Sequence, residues 1–101
     1  MAKKLAPIHP GEILREEFLK PLKLSANKLA LELRVPVTRI GEILNERRGI
    51  SPETAIRLAR YFGTTAEFWL NLQTRYDLVV AERAVGPAVV REVRPRTSKV
   101  A

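Results

Sequence analysis

The stretch LSANKLALELRVPVTRIGEILNERRGI, residues 24–50, holds two short helical patterns joined by a tight connection. In the first, Ser25 is a favoured N-cap and apolar residues then recur at helical spacing, which predicts a helix over residues 26–33. In the second, Pro36 occupies a first-turn position before another apolar stripe, which predicts a helix over residues 36–46. Two short helices joined in this way are typical of a helix-turn-helix.

The outward positions of the second helix are the candidate DNA-reading surface. An α-helix fits the major groove of B-DNA, where residues near its N-terminus reach the base edges. The alternative is a solvated polar face of a helical bundle.

Gly41 costs about 1 kcal/mol in a helix interior relative to alanine, and a close approach of the preceding helix or of DNA would account for it. Gly49 is predicted to end the helix in a left-handed conformation.

Helical patterns also flank this unit. A first helix is predicted from Pro10 and is expected to end at Pro21, because a proline disfavours helical geometry in the residue before it. A further helix is predicted after the N-cap Ser51 and is expected to end at Gly63.

A last helix is predicted towards the C-terminus. Thr64 lies three residues before Glu67, which is a capping-box pattern, and the helix is predicted to reach about residue 84. Residues 88–93 alternate in polarity, which indicates a short strand or an extended segment. The predicted fold class is therefore all-α: five helices that include a helix-turn-helix, followed by a basic, flexible C-terminal tail.

Composition excludes several functional classes. The chain has 101 residues, 46% of them apolar, a net charge of +7, no cysteine and a single histidine. These numbers indicate one soluble, cytoplasmic domain with a polyanionic partner and no thiolate or multi-histidine metal site. No apolar run is long enough to span a membrane. We expect no cofactor and no catalysis, since nothing assembles a nucleophile and a base.

Four segments within residues 8–78 carry a family resemblance. They are His9-Pro10-Gly11-Glu12 with Leu14; residues 24–30; Arg39-Ile40 with Ile43, Arg47, Arg48, Gly49 and Ile50; and Gly63-Thr64 with residues 67–73 and Tyr76-Asp77-Leu78. On these segments the chain resembles the HigA-type antitoxins of the XRE (Cro/repressor-like) helix-turn-helix family.

The resemblance implies a five-helix, lambda-repressor-like helix-turn-helix domain in a dimeric protein that binds operator DNA and represses its own operon. It also implies a partner, a HigB-like toxin of the RelE fold that cleaves mRNA and is neutralised by the antitoxin. A stand-alone XRE-family transcriptional regulator without a toxin is the alternative function. A purely protein-binding helical domain, which would not bind an operator, is a third.

The predicted base-reading residues lie on the outer face of the second helix of the motif. Thr38 and Arg39 are the first choices, since threonine can contact a thymine methyl group and arginine can bind guanine bidentately. The alternative for Arg39 is an ion pair with Glu42 or with another acidic residue. Val37 can make only an apolar contact, Glu42 could accept from cytosine, and Asn45 is expected to contact phosphate more readily than a base.

Basic residues beside this helix are predicted phosphate contacts. Lys28 lies near the start of the preceding helix, and Arg47 and Arg48 follow the recognition helix. Such contacts position a protein on DNA without reading its sequence. The two arginines would also favour the negative end of the helix dipole in any bundle.

The last helix is the predicted dimer seam, formed by Phe68, Leu72 and Tyr76. Trp69 is expected in the core. His9 is interpreted as a helix-start residue rather than a ligand.

The predicted organisation is an arm over residues 1–8, a helix-turn-helix domain with its dimerisation helix over 9–84, and a basic tail over 85–101. The arm through Leu5 and the tail after Leu78 are both candidates for toxin contact. The tail could also be simply solvated, or could add non-specific affinity for DNA.

Overall fold

The computed structural model describes residues 6–97, and every regular element in that range is a helix. The helices are α1 (residues 10–22), α2 (Ala26–Leu33), α3 (Val37–Leu44), α4 (Pro52–Phe62) and α5 (Ala66–Glu92). The pair α2 and α3 pack together, α4 packs on α5, and α1 contacts both α3 and α5. The predicted all-α, helix-turn-helix fold is confirmed. Residues 1–5 of the predicted arm and 98–101 of the predicted tail lie outside the described range.

The first helix begins at a histidine cap and does not end at Pro21. The Nδ1 atom of His9 accepts a hydrogen bond from the amide of Gly11 at 2.9 Å, which confirms His9 as a helix-start residue. The middle of α1, Leu14–Leu19, is π-helical, and a last α-helical turn, Lys20–Leu22, contains the proline. The expected end at Pro21 is therefore wrong. A π turn is wider than an α turn, which accommodates the proline ring.

Gly11 is required by the packing of α1 on α3. A Cβ atom at this position would lie 1.9 Å from the carbonyl oxygen of Ile43, far inside any permitted contact. The absence of a side chain thus lets the start of α1 lie directly against the end of α3.

Two helices begin and end where their local signals predict. Ser25 accepts from the amide of Lys28 and Ser51 from that of Thr54, so both serines are N-caps. Gly63 ends α4 with a φ of 74°. The predicted capping box is displaced by one residue, because the Thr65 hydroxyl caps α5. The hydroxyl of Thr64 instead accepts from the indole Nε1 of Trp69 at 2.8 Å.

The last helix is longer than predicted. It continues from Ala66 to Glu92, so the strand or extended interpretation of residues 88–93 is wrong as far as residue 92. Pro87 lies inside the helix, and losing one backbone hydrogen bond there does not end it. The predicted boundary between the helix-turn-helix domain and the basic tail, at residues 84 and 85, therefore falls within α5.

The core lies between the five helices and is centred on Trp69, which is fully buried as predicted. The Phe18 ring lies 5.0 Å from Trp69 and 4.8 Å from Phe62, measured between ring centroids. These aromatic contacts join α1, α4 and α5. The buried apolar residues are Leu14, Leu19, Leu29, Ala30, Leu33, Ile40, Ile43, Ile50, Ala55, Leu58 and Trp69.

Replacing His9 with asparagine should remove one source of acid sensitivity. Burial lowers the pKa of His9 below its ordinary value of 6.5, and the carboxylates of Glu46 and Asp77 oppose that shift. The unfolded chain therefore binds this proton more readily than the folded chain. The stabilisation from neutral His9 is complete above about pH 6.5 and is lost as the pH falls towards the lowered folded-state pKa.

Asparagine keeps a capping acceptor but does not titrate. We expect the free energy of unfolding, measured by urea denaturation, to fall less in His9→Asn than in the wild type between about pH 7.5 and about pH 5. An equal fall in both proteins would contradict this role of His9.

Candidate nucleic-acid interface

The recognition helix α3 is held in place by the turn that precedes it. Arg34 takes a left-handed conformation with a φ of 62°, which turns the chain sharply at the end of α2. Pro36 is the N-cap of α3 and contributes no side-chain hydrogen bond, so the helix lacks a side-chain cap, as predicted. Ile40 and Ile43 are fully buried and fix which face of α3 points outward.

The predicted base-reading residues share the exposed side of α3. Val37 is 45% exposed, Thr38 and Asn45 are exposed, and Arg39 and Glu42 are half-exposed. Helix α3 begins one residue later and ends two residues earlier than predicted, so Asn45 is its C-cap rather than part of its last turn. The structure thus brings these five side chains together on one surface.

The ion pairs on this surface leave Arg39 available. The Nε atom of Arg48 lies 2.7 Å from a carboxylate oxygen of Glu42, so Glu42 pairs with Arg48 and the alternative pair with Arg39 is wrong. In residues 6–97, no carboxylate forms an ion pair with Arg39 or Arg47. An unpaired guanidinium on an exposed helix face is free to bind an external acceptor.

Lys28 lies near the start of α2 and forms an ion pair on the protein surface. Its Nζ atom is 2.9 Å from a carboxylate oxygen of Glu32, one helical turn away. The hydrogen bond to Glu32 raises the pKa of Lys28 above its ordinary value. Both side chains are exposed, and such pairs exchange easily for other partners.

Gly41 also lies on the exposed side of α3, and nothing in the protein explains it. A Cβ atom there would have no neighbour within 4 Å. Close approach of α2 is therefore excluded as the reason for this glycine.

The loop after α3 turns at Glu46 rather than at Gly49. Glu46 has a φ of 62°, whereas Gly49 does not adopt a positive φ, so the predicted glycine stop is wrong. The reason for Gly49 is packing: its Cα lies against the side-chain amide of Gln73, 2.9 Å from where a Cβ atom would be. Arg47 and Arg48 are exposed on this loop, as a phosphate contact requires.

Three side chains from other helices hold the motif and were not predicted. Arg15 donates to the carbonyl oxygen of Leu44, and Arg57 donates to that of Leu33 at 2.9 Å, so each arginine caps one helix of the motif. The Oε1 atom of Gln73 accepts from the amide of Ile50 at 2.7 Å. These partners are 23 to 29 residues apart, and no local pattern in the sequence marks them.

The predicted dimer residues lie along α5 with unequal exposure. Phe68 is 37% exposed, whereas Leu72 and Tyr76 are half-buried. The Tyr76 ring contacts His9 of its own chain edge-on, with centroids 4.8 Å apart. Leu72 and Tyr76 also line a groove of about 320 Å³ between α5 and residues 6–8.

Two other kinds of site are not found in the described residues. No helix between residues 6 and 97 is long and apolar enough to cross a membrane. Within the same range, no three acidic or histidine side chains cluster in a way that could hold a metal ion.

A family model described as helix-turn-helix matches residues 15–69, which contain α2, α3 and α4 complete. This chain belongs to the XRE-type helix-turn-helix family. The match begins within α1 and ends at Trp69, so it contains the motif and every buried core residue except Leu14. The family is not an enzyme family.

Similar proteins confirm the resemblance to HigA-type antitoxins. The chain is 59% identical over 80 residues to virulence-associated protein I of Dichelobacter nodosus, covering 79% of this chain and 74% of the relative. It superposes with a TM-score of 0.87 on the Pseudomonas aeruginosa antitoxin HigA, solved with the higBA promoter, at 49% identity over 88% of this chain and 97% of that one.

A further structure, antitoxin GraA in complex with its operator, gives a TM-score of 0.88. The sequence identity is 45%, and the match covers 97% of this chain and 99% of that chain. The helical part of residues 85–92 therefore lies within the length shared with this relative.

Replacing Gly41 with alanine should make the isolated protein more stable. The added methyl group meets no atom of the protein, and alanine favours a helix interior by about 1 kcal/mol over glycine. We expect the free energy of unfolding, from chemical denaturation, to rise by about that amount. A loss of stability would mean that the backbone at Gly41 needs a conformation that alanine resists.

Proposed function

We propose that this protein is a HigA-type antitoxin that represses its own operon by binding operator DNA. The observation that carries the proposal is the exposed face of α3, where Arg39 has no ion-pair partner in the described chain while Glu42 is engaged by Arg48. The family relationship supports it, because two structural relatives were solved with a promoter or an operator.

In this proposal α3 enters the major groove with its N-terminal residues foremost. Thr38 and Arg39 contact base edges, Val37 contacts a thymine methyl group, and Glu42 and Asn45 lie at the edge of the contact. Lys28, Arg47 and Arg48 bind backbone phosphates. The net charge of +7 favours this association.

Arg39 and the two loop arginines should contribute in different ways. Replacing Arg39 with alanine should weaken binding to a duplex from the region upstream of its own gene by about 1–3 kcal/mol and relax the sequence preference. Replacing Arg47 and Arg48 with alanine should weaken all duplexes alike and flatten the slope of log affinity against log salt by about one per lost contact.

Fluorescence anisotropy at several salt concentrations measures both effects. Arg60→Ala is the matched control, since it removes the same charge from an exposed position on α4. Unchanged operator affinity in Arg39→Ala would remove this residue from the interface, and an unchanged salt slope would remove Arg47 and Arg48. In the same assay, Gly41→Ala should bind more weakly if the duplex approaches the backbone of α3 there.

We infer that the operator-binding form is a homodimer that associates through Phe68, Leu72 and Tyr76 on α5. The exposure of Phe68 supports this, because an apolar ring at the surface gains from burial against a second copy. A dimer would place two copies of α3 about 34–36 Å apart, which matches one turn of DNA and an inverted-repeat operator.

A charge in the proposed dimer seam should separate the subunits. Phe68→Glu changes an exposed position and Leu72→Glu a half-buried one, so the first variant should keep its fold even if the second does not. We expect monomers by multi-angle light scattering, with unchanged helical content by circular dichroism. Leu31→Glu, at a 67% exposed position on α2, is the control. A folded Phe68→Glu dimer would place the seam elsewhere.

The toxin partner is the second half of the proposal. We propose that the protein neutralises a HigB-like toxin of the RelE fold, and that the N-terminal arm and the C-terminal segment are the regions to test for that contact. A tagged copy purified from its own host in gentle salt should retain a small basic protein in fixed stoichiometry. Expression of that partner alone should arrest growth. Recovery of DNA but no such partner would favour the stand-alone regulator.

A further inference from the structure

Gln73 is neither one of the proposed DNA-contacting residues nor one of the proposed dimer residues. It lies on α5, half-buried, and its side-chain amide is 2.9 Å from the point where a Cβ atom of residue 49 would lie. Its Oε1 atom accepts from the amide of Ile50 at 2.7 Å, and its Nε2 atom donates to Asp77 Oδ1 at 2.9 Å. One side chain therefore connects the long helix to the loop that follows the recognition helix.

Asp77 fixes the direction of this connection. A glutamine side chain carries an acceptor and a donor that can exchange places by rotation. The carboxylate of Asp77 can only accept, so it holds the Nε2 end and leaves Oε1 directed at the Ile50 amide. Glycine at position 49 gives the amide room to reach that point. The arrangement thus depends on Gly49, Gln73 and Asp77 together.

The loop held in this way is the one that carries Arg47 and Arg48. It is anchored at one end by Arg15, which contacts the Leu44 carbonyl and Glu46, and at the other by Gln73. Between the anchors the two arginines are exposed. Fixing both ends limits where their guanidinium groups can lie relative to α3, which lowers the entropic cost of binding phosphate.

We propose that Gln73 is a positioning residue for DNA binding, which acts by holding the loop of residues 45–50 against α5. The proposal rests on the proposed function, since it requires Arg47 and Arg48 to contact phosphate. It adds that phosphate binding by this loop depends on the helix that also carries Phe68, Leu72 and Tyr76. Any shift of α5 would then alter operator affinity without touching α3.

The test compares Gln73→Met, which keeps the length of the side chain but removes both hydrogen bonds, with Asn71→Met, a matched amide replacement at an exposed position on α5. In the free protein, hydrogen exchange by NMR should show faster exchange of the Ile50 amide in Gln73→Met and not in Asn71→Met. Gly49→Ala should have the same effect, because the methyl group displaces the Gln73 amide.

Binding to the operator duplex then separates positioning from general stability. Losing one hydrogen bond in the loop should weaken operator affinity about 3- to 10-fold and flatten its salt dependence. In a background that already carries Arg47→Ala and Arg48→Ala, the same replacement should change affinity by less than about 2-fold, because the two effects then share one cause. Asn71→Met should bind as the wild type does.

Each contrary result overturns a different statement. Unchanged exchange of the Ile50 amide in Gln73→Met would overturn the hydrogen bond. An equal loss of affinity in both backgrounds would assign Gln73 a structural role and overturn positioning. If Arg47→Ala with Arg48→Ala leaves the affinity and the salt slope unchanged, the proposed phosphate contacts fail, whatever Gln73 does to the Ile50 amide.

Discussion

The contact between Gly11 and the carbonyl oxygen of Ile43 sets the distance between α1 and the recognition helix. Any side chain at position 11 would overlap that oxygen, since even a Cβ atom would lie 1.9 Å from it. With α1 this close, Arg15, about one turn further on, reaches the end of α3, and His9 reaches Tyr76 on α5. The orientation of α3 therefore depends on the absence of a side chain at Gly11 in α1.

The two helices of the motif end in the same way, each with an arginine from a neighbouring helix. The last carbonyl groups of a helix have no intrahelical partner and carry the negative end of its dipole. A guanidinium group there both donates a hydrogen bond to a carbonyl oxygen and is attracted by the dipole. Arg15 serves α3 and Arg57 serves α2, and both also contact a glutamate. Short helices of eight residues gain little stability from their own hydrogen bonds, which makes such external support important.

Local signals in the sequence predict the elements that local chemistry controls. Ser25, Ser51 and Gly63 lie at helix ends because their side chains or backbone freedom act within a few residues. Several predictions fail where a distant contact decides the outcome, whereas the continuation of helices past Pro21 and Pro87 is a local failure. The sequence predicts a helix stop at Gly49, but this residue instead makes room for the side-chain amide of Gln73, 24 residues away. The exposed face of α3 was predictable from periodicity, whereas the supports of that face, which come from α1, α4 and α5, were not.

The packing of Trp69 gives the molecule a built-in optical reporter. It is the single tryptophan of the chain, it is fully buried where three helices meet, and its indole N–H is bonded to Thr64. Its fluorescence therefore comes from one environment and arises at the base of α5, beside the aromatic rings of Phe18 and Phe62. Any event that loosens α5 from the helix-turn-helix changes that emission directly. The packing of α5 against the motif can therefore be followed without attaching a dye.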